Sequence, residues 1–322
     1  MKTQSLKRRM IAVAFAGSLT VSGSAVAACS SNTTHSSPGG AASPSPAGGT
    51  FPITVTTADG SVHLDKRPGA ILSLSPTATE MLYAIGAGSQ VKGVDSDSDY
   101  PPQAPKTRLS AFNPNIEAIA AQKPDLVVVS NDGATLTKKL ATFHIPVLSL
   151  PAPPGIGGVY TEFDQLGQAT GHESEARAEV ATLRGQISKI VAAAPHHTKP
   201  LTYYYELDQT YYSVTSATFI GKLLGLLGMK SIADSAKGAA AAGGYPQLSA
   251  EFIVKSNPDF IILADTLCCH QDASTVASRP GWSGLKAVKA KHVILLNDDI
   301  ASRWGPRVVN LLKTVLSAIK GS

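Results

Sequence analysis

One order of apolar and polar positions occurs twice along the chain. It consists of a glutamate in a short helical segment, then a Pro-Asp pair, and then four consecutive apolar residues. The first copy spans residues 117–129 and the second spans residues 251–263, with the same internal spacing. Apolar runs of this length that follow a turn predict strands buried on both faces, as in a parallel sheet.

The elements that precede the two copies also match. A strand candidate at residues 72–74 is followed by a helix at 76–86, and a strand candidate at 202–207 is followed by a helix at 218–228. Both helices end in glycine, which is common just past a helix end. Because strands alternate with helices, the sequence predicts an α/β protein with two Rossmann-like lobes, each built on a central parallel sheet.

A helical stripe lies between the two copies, in residues 172–194. Its apolar positions are Ala176, Val180, Leu183, Ile187, Ile190 and Ala194. We predict one long amphipathic helix that joins the lobes and resists wide opening. The predicted domains are an N-terminal lobe at 51–160, a linking helical segment at 161–195 and a C-terminal lobe at 196–322.

The first 50 residues predict secretion and a tether. Basic residues at the N-terminus, followed by a short apolar stretch, predict a signal peptide at residues 1–28. The Val26-Ala27-Ala28-Cys29 run resembles a bacterial lipobox, which implies lipidation of Cys29; an ordinary signal peptide with an unrelated cysteine is the alternative. Residues 30–50 contain no Asp, Glu, Lys or Arg, so we predict that residues 29–50 form a lipidated cysteine and a flexible tether.

The charge and hydropathy of the mature chain limit which kinds of partner we expect. The whole chain has a formal net charge of +5, but four basic residues lie in the predicted signal peptide, which leaves the mature chain close to neutral. We therefore expect no nucleic-acid partner. No later apolar run is long enough to span a membrane. We expect a monomer that a lipid anchors at the extracytoplasmic face of the bacterial cell membrane.

Candidate chemistry is sparse. Three adjacent residues, Cys268, Cys269 and His270, are weak metal-ligand candidates, because zinc ligands are normally separated by at least two residues. The cysteines form either a vicinal disulfide or two buried thiols. Serine-hydrolase, zinc-protease and Walker motifs are missing from the sequence. We expect a binding protein without metal of its own and without catalytic residues; a bare divalent-metal binder and a secreted hydrolase are the alternatives.

Several segments resemble the cobalamin and ferric-siderophore class of periplasmic binding proteins. They are residues 67–80, Asp99-Tyr100-Pro101-Pro102, residues 115–117, residues 123–127 and Arg279-Pro280-Gly281-Trp282, within a similarity that covers residues 65–320. The resemblance implies the class III fold, with the ligand in a cleft between lobes joined by one long helix. It also implies capture of a ferric siderophore, haem or corrinoid (cobalamin) for an ABC permease and its ATPase. Iron or cobalt would belong to the ligand, not to a cofactor.

The resemblance also implies two docking residues. In this family each lobe carries a surface glutamate that contacts arginines of the permease, and the motif positions are Glu117 and Glu251. The helix dipole favours a carboxylate in the first turn of a helix, where it can be exposed. The alternative is that both residues are only helix-start acids.

The ligand residues follow in part from the rule that open α/β sheets bind ligands at the carboxyl ends of their strands. Ser75 and Thr77 follow the first strand, where simple N-capping is the alternative. Asn131 follows the strand that ends at residue 129. Tyr211 and Tyr212 follow the first strand of the second lobe, where their rings suit stacking on a macrocycle or a catecholate and hairpin packing is the alternative.

Further ligand positions come from the resemblance: Asp97, Tyr100, Phe112, Asp299, Arg303 and Trp304. Phe112 stands where cobalamin binders have a tryptophan, whereas Asp97 stands close to where they use an aromatic residue against the corrin. The Arg303 guanidinium can pair with a carboxylate or phosphate while Trp304 stacks. The alternative is that Asp299 and Arg303 pair with each other.

Overall fold

The computed structural model describes residues 49–130 and 134–321. The predicted signal peptide, Cys29, nearly all of the tether and Asn131 lie outside the described residues. Within these two ranges, no helix has both the length and the hydropathy needed to cross a membrane.

A parallel sheet forms the centre of the N-terminal lobe. The elements in chain order are β1 (Ile53–Thr57), β2 (Gly60–Leu64), β3 (Ile71–Leu74), α1 (Pro76–Ala84), β4 (Val91–Val94), α2 (Ile116–Ala121), β5 (Leu126–Val129), α3 (Ala134–Ala141) and β6 (Val147–Ser149). The strands β1 and β2 pair as an antiparallel hairpin, and the other four form a parallel sheet in the order β4-β3-β5-β6. Every residue of β3, β5 and β6 is buried, and for β5 this confirms the burial that its apolar run predicted.

Two helices connect this sheet to the second one, namely α4 (Ile156–Thr170) and α5 (Glu173–Ala192). The predicted long helix is confirmed as α5, which buries its predicted stripe except for Ala194, two residues beyond its end. One continuous core cluster contains Leu126 of the first sheet, Ile187 of α5 and Phe260 of the second sheet. The connection between the sheets is therefore packed along its length. The predicted domain limits stay predictions.

The C-terminal lobe repeats the arrangement of the first lobe. Its elements are β7 (Leu201–Glu206), α6 (Phe219–Gly225), β8 (Met229–Ser231), α7 (Ala250–Ser256), β9 (Phe260–Leu263), α8 (Ala273–Ser278), α9 (Lys286–Lys289), β10 (Val293–Leu295), α10 (Asp298–Ser302) and α11 (Val308–Lys320). The parallel strand order β8-β7-β9-β10 matches β4-β3-β5-β6. The predicted α/β class with two parallel-sheet lobes is confirmed.

The Pro-Asp pairs have the same structural role in both lobes. The Oδ2 atom of Asp125 accepts hydrogen bonds from the backbone N–H groups of Gly69 (2.9 Å) and Ala70 (3.0 Å), just before β3. The Oδ2 atom of Asp259 accepts a bond from the backbone N–H of Thr202 (2.9 Å), at the start of β7. Each aspartate thus joins the turn before the third strand of its parallel sheet, counted along the chain, to the start of the first strand of that sheet.

Both predicted helices after the first strands are shorter than expected. The helix α1 ends at Ala84, and Gly86 adopts the left-handed conformation at φ 80°, so that the glycine belongs to the turn beyond the helix. The helix α6 ends at Gly225, and Gly228 has φ 76° in the turn that leads to β8. Each turn has a glycine at this position because glycine adopts a positive φ at little cost in free energy.

Candidate functional site

A cavity of about 810 Å³ lies at the carboxyl ends of β3, β4 and β5. Leu74 and Val129, the last residues of β3 and β5, line it, as does Asp95, which follows β4. Another part of the wall comes from Ser302 at the end of α10 and from the residues that follow it. The position agrees with the rule that open parallel sheets bind ligands beyond the carboxyl ends of their strands.

Six predicted ligand residues meet at this cavity: Thr77, Asp97, Phe112, Asp299, Arg303 and Trp304. The Phe112 side chain is 89% exposed although it belongs to the cavity wall. An exposed ring in that position is available for stacking against a flat ligand. The cavity thus combines aromatic surface with several charged groups.

The remaining predicted ligand residues are not among the described residues that line the cavity. Ser75 is 1% exposed, and its Oγ accepts the Ala78 N–H at 3.1 Å, so that the N-capping alternative accounts for it. Tyr100 lies under the guanidinium of Arg307, at 4.3 Å from the ring centre. A ligand role for either residue stays a prediction.

The two tyrosines predicted from the second lobe belong to a local packing arrangement. Tyr211 stacks on Trp282 with ring centres 5.7 Å apart. Tyr212 forms an isolated bridge with Gln247 and is 41% exposed. The hairpin-packing alternative therefore describes Tyr211, and a ligand role for both tyrosines stays a prediction.

Arg303 is surrounded by oxygen acceptors. Its Nη1 donates to Glu80 Oε1 (3.1 Å) and Asp99 Oδ1 (2.8 Å). Its Nη2 donates to the Asp97 carbonyl oxygen (2.9 Å) and to Asp299 Oδ1 (2.7 Å). The alternative of an Asp299–Arg303 pair is therefore what the structure shows. The side chain of Arg303 is only 9% exposed, although it forms part of the cavity wall.

Glu80 is the centre of this network, and sequence reasoning did not assign it a role. Its side chain has no exposed surface, and it also accepts hydrogen bonds from Arg307, including one from Nε at 2.9 Å. A carboxylate on an otherwise buried helix face predicts a buried partner, because ionised groups are rarely buried unpaired. That signal was present in α1, but it did not identify the partner.

Asp95 has an incompletely satisfied carboxyl group on the cavity wall. The residue has no exposed surface, and its Oδ1 accepts a hydrogen bond from Ser98. Its Oδ2 has no hydrogen-bond partner within the described ranges. Burial raises the pKa of Asp95, and the hydrogen bond from Ser98 only partly opposes this effect.

Trp304 is oriented by a second buried glutamate. Its Nε1 donates to Glu162 Oε2 at 2.8 Å. Glu162 is 5% exposed, and burial raises its pKa to about 8 although the hydrogen bond from Trp304 lowers it. This hydrogen bond fixes the orientation of the indole at the cavity wall. Sequence reasoning also missed Glu162, a charged residue beside Phe163 on the buried side of α4.

The carboxyl ends of the C-terminal strands carry a separate buried charge cluster. Glu206 ends β7, and its two oxygens lie 2.6 Å from the two terminal nitrogens of Arg279. Asp265 has no exposed surface, and burial followed by repulsion from Glu206 raises its pKa to about 7. Arg279 also lies over the ring of Trp282 at 4.6 Å.

The adjacent cysteines form a vicinal disulfide, which selects one of the two alternatives left by the sequence. Asp298 supports their loop by accepting the backbone N–H groups of Leu267 (2.9 Å) and Cys268 (2.8 Å). A disulfide leaves no thiolate to bind a metal. In residues 49–130 and 134–321 no three His, Cys, Asp or Glu side chains are grouped so that they could hold a metal ion.

Glu117 and Glu251 occupy equivalent surface positions in the two lobes. Both are exposed in the first turns of α2 and α7, whose N-caps are Asn115 and Ser249. Hydrogen bonds from the backbone N–H of Glu251 and from Ser249 lower the pKa of Glu251. The structure thus places one exposed acid on each lobe. The docking role stays a prediction.

Comparison with known proteins identifies relatives that match most of this chain. An uncharacterised ABC transporter substrate-binding lipoprotein of Bacillus subtilis strain 168 is 30% identical over 279 residues, which cover 84% of this chain and 86% of the relative. The vitamin B12-binding protein of Pectobacterium atrosepticum is 30% identical over 261 residues, which cover 78% of this chain and 88% of the relative.

Solved structures and the family profile agree with these relatives. A periplasmic solute-binding protein from Staphylococcus epidermidis, named as a possible iron-binding protein, is 27% identical with a TM-score of 0.65; the match covers 79% of this chain and 99% of that protein. The profile of the family described as periplasmic binding protein matches residues 71–300. Since that match spans most of the chain, the protein belongs to the periplasmic binding protein family.

Proposed function

We propose that this protein captures a metal chelate outside the cell membrane and delivers it to an ABC importer. The observation that carries the proposal is the cavity of about 810 Å³ at the strand ends, with Phe112 and Trp304 on its wall. Cavities of this size hold one small organic ligand, and aromatic walls suit a flat macrocycle or aromatic chelating groups. The relatives named for vitamin B12 and iron support this ligand class.

The bare-metal alternative is less well supported. A protein that binds a naked divalent ion needs several converging carboxylate or imidazole ligands. No such group occurs in the described ranges, and the cysteines predicted as weak ligands are oxidised. A chelate brings its own ligands, so that the protein needs only complementary shape, stacking and hydrogen bonds.

The proposal includes a position in the cell. Cys29 carries the lipid, residues 30–50 act as the tether, and the folded chain works as a monomer with a permease and its ATPase. The Bacillus subtilis relative, whose name describes a substrate-binding lipoprotein, supports this arrangement. Mass measurement of the mature N-terminus tests it, and a Cys29→Ser variant should move from the membrane fraction to the soluble fraction.

The ligand is tested with protein purified from its host. Native mass spectrometry should show one bound chelate per chain, and its absorbance identifies a corrinoid, haem or ferric siderophore. The same protein should neither retain added Zn²⁺, Co²⁺ or Fe³⁺ salts through dialysis nor turn over a panel of esters, glycosides and peptides. Retention of bare metal without a chelate, or turnover, would overturn the proposal.

A further inference from the structure

The accessible charge on the cavity wall is mainly negative. Asp97 is exposed, and the side chains of Asp99 and Asp299 are 44% and 28% exposed. All three line the cavity, as does the exposed cation Lys106. A ligand that enters therefore meets carboxylate oxygens, which only accept hydrogen bonds when ionised.

Arg303 does not reverse this balance. Each of its two terminal nitrogens already donates to two oxygens, so that its terminal N–H groups are occupied by the protein. Its side chain is 9% exposed. A carboxylate on a ligand would have to displace Asp99 or Asp299 to reach the guanidinium. Arg303 therefore organises the aspartates instead of presenting a positive charge to the ligand.

Asp95 supplies an independent indication of what the cavity accepts. It is fully buried and lines the cavity, and its Oδ2 has no hydrogen-bond partner within the described ranges. An unpaired buried carboxyl oxygen costs free energy that a donor from a ligand would recover. An amide or ammonium N–H supplies such a donor, whereas a carboxylate or catecholate oxygen does not.

We infer that the cavity selects neutral or cationic chelates whose periphery presents N–H donors, and that it rejects chelates with peripheral carboxylates or a net negative charge. The inference deepens the proposed function and rests on it. It separates the chelate classes by chemistry: amide-rich corrinoids and hydroxamates with a free ammonium group fit, whereas haem carboxylates and ferric tricatecholates do not.

Four probes test this selectivity. Cyanocobalamin presents neutral amides, and ferrioxamine B presents an ammonium group; haemin carries carboxylates, and ferric enterobactin is a polyanion. We expect the first pair to contain the tighter ligand, with the second pair about 100-fold weaker or more because like charges in a shared cavity repel. Affinities are measured by isothermal titration at two salt concentrations.

The Asp97→Asn variant tests the contribution of the negative charge of the Asp97 side chain to binding. Arg303 contacts the backbone carbonyl of Asp97 and not its carboxylate, so the substitution leaves that contact in place. We expect it to weaken ferrioxamine B by roughly 3- to 10-fold and to strengthen the anionic probes by a similar factor. The matched control is Asp164→Asn on the exposed side of α4, which removes the same charge away from the cavity.

The outcomes separate this inference from the proposed function. If the wild-type protein binds none of the four probes, the proposed chelate class fails and the inference fails with it. If haemin or ferric enterobactin binds most tightly, or if Lys106→Gln abolishes binding of the best probe, the selectivity is wrong while the chelate function stands. Equal changes in Asp97→Asn and Asp164→Asn would also overturn it, because the effect would then not arise in the cavity.

Discussion

The Glu80 carboxylate lies 3.1 Å from Nη1 of Arg303, although the two residues are separated by 223 positions. Glu80 belongs to α1 of the N-terminal lobe, and Arg303 follows α10 of the C-terminal lobe. Arg307 binds the same carboxylate. One buried acid therefore connects the first lobe to the segment that forms the far wall of the cavity.

Replacing Glu80 should destabilise the fold strongly. Glu80→Gln keeps the shape but leaves two largely buried arginines without a shared counter-charge, which typically costs about 3–5 kcal/mol of the free energy of unfolding. Urea denaturation measures the loss. The control Asp164→Asn should change the free energy by less than about 0.5 kcal/mol. A loss below about 1 kcal/mol for Glu80→Gln would show that the network contributes little.

Stability should fall as pH rises from about 5 to 8. The pKa of Glu162 is raised to about 8 in the folded protein, so between the unfolded value of about 4.5 and that pH the folded state holds a proton that the unfolded state has lost. Asp265, with a pKa raised to about 7, contributes with the same sign.

Glu162→Gln isolates the contribution of Glu162. Glutamine still offers an oxygen to the Trp304 indole but does not titrate, so the melting temperature of the variant should decline less between pH 5 and pH 8 than that of the wild type. The remaining slope reports Asp265 and other groups. Identical slopes for the two proteins would show that Glu162 titrates near its ordinary pKa.

Ligand binding should be visible in the fluorescence of one tryptophan. The chain has two tryptophans; Trp304 lines the cavity, whereas Trp282 is fully buried in the second lobe between Tyr204 and Tyr211. A coloured chelate quenches the nearer indole more. The fractional quench on titration should therefore be larger in Trp282→Phe than in Trp304→Phe. The reverse order would place the ligand elsewhere.

Reversing the charges of the two predicted docking residues, Glu117 and Glu251, should reduce transport without changing ligand affinity. The double variant Glu117→Lys/Glu251→Lys should lower uptake through the importer about 10-fold or more, because two-point charge complementarity determines orientation and association rate. Ligand affinity should stay within about 2-fold of wild type, since neither residue lines the cavity. An Asp164→Lys control should transport normally. Undiminished uptake by the double variant would remove the docking role.

The fold could be predicted in large part because its signals are local and periodic. The apolar runs became β5 and β9, the Pro-Asp pairs became matching anchors, and the helical stripe became α5. Each depends on residues close together in sequence, so one chain is enough to detect it. The positions of Glu117 and Glu251 could be predicted for the same reason, because each lies in the first turn of a helix that belongs to the repeated pattern.

The site was only partly predictable. Motif comparison identified Asp97, Asp299 and Arg303, but Glu80 and Glu162 were missed because their partners lie more than 100 positions away. No spacing along the chain records such a contact.

The sequence by itself determined two parallel-sheet lobes, the helix between them and the sheet edge at which the cavity lies, because strand direction and helix periodicity follow from local residue order. Only the tertiary structure decided which charges face the cavity. It showed that Arg303, predicted to pair with an anionic group of the ligand, instead donates hydrogen bonds to the carboxylates of Asp99 and Asp299. It also placed the Tyr211 ring against Trp282. The reason is that the free energy of a charge or a ring depends on its neighbours in space.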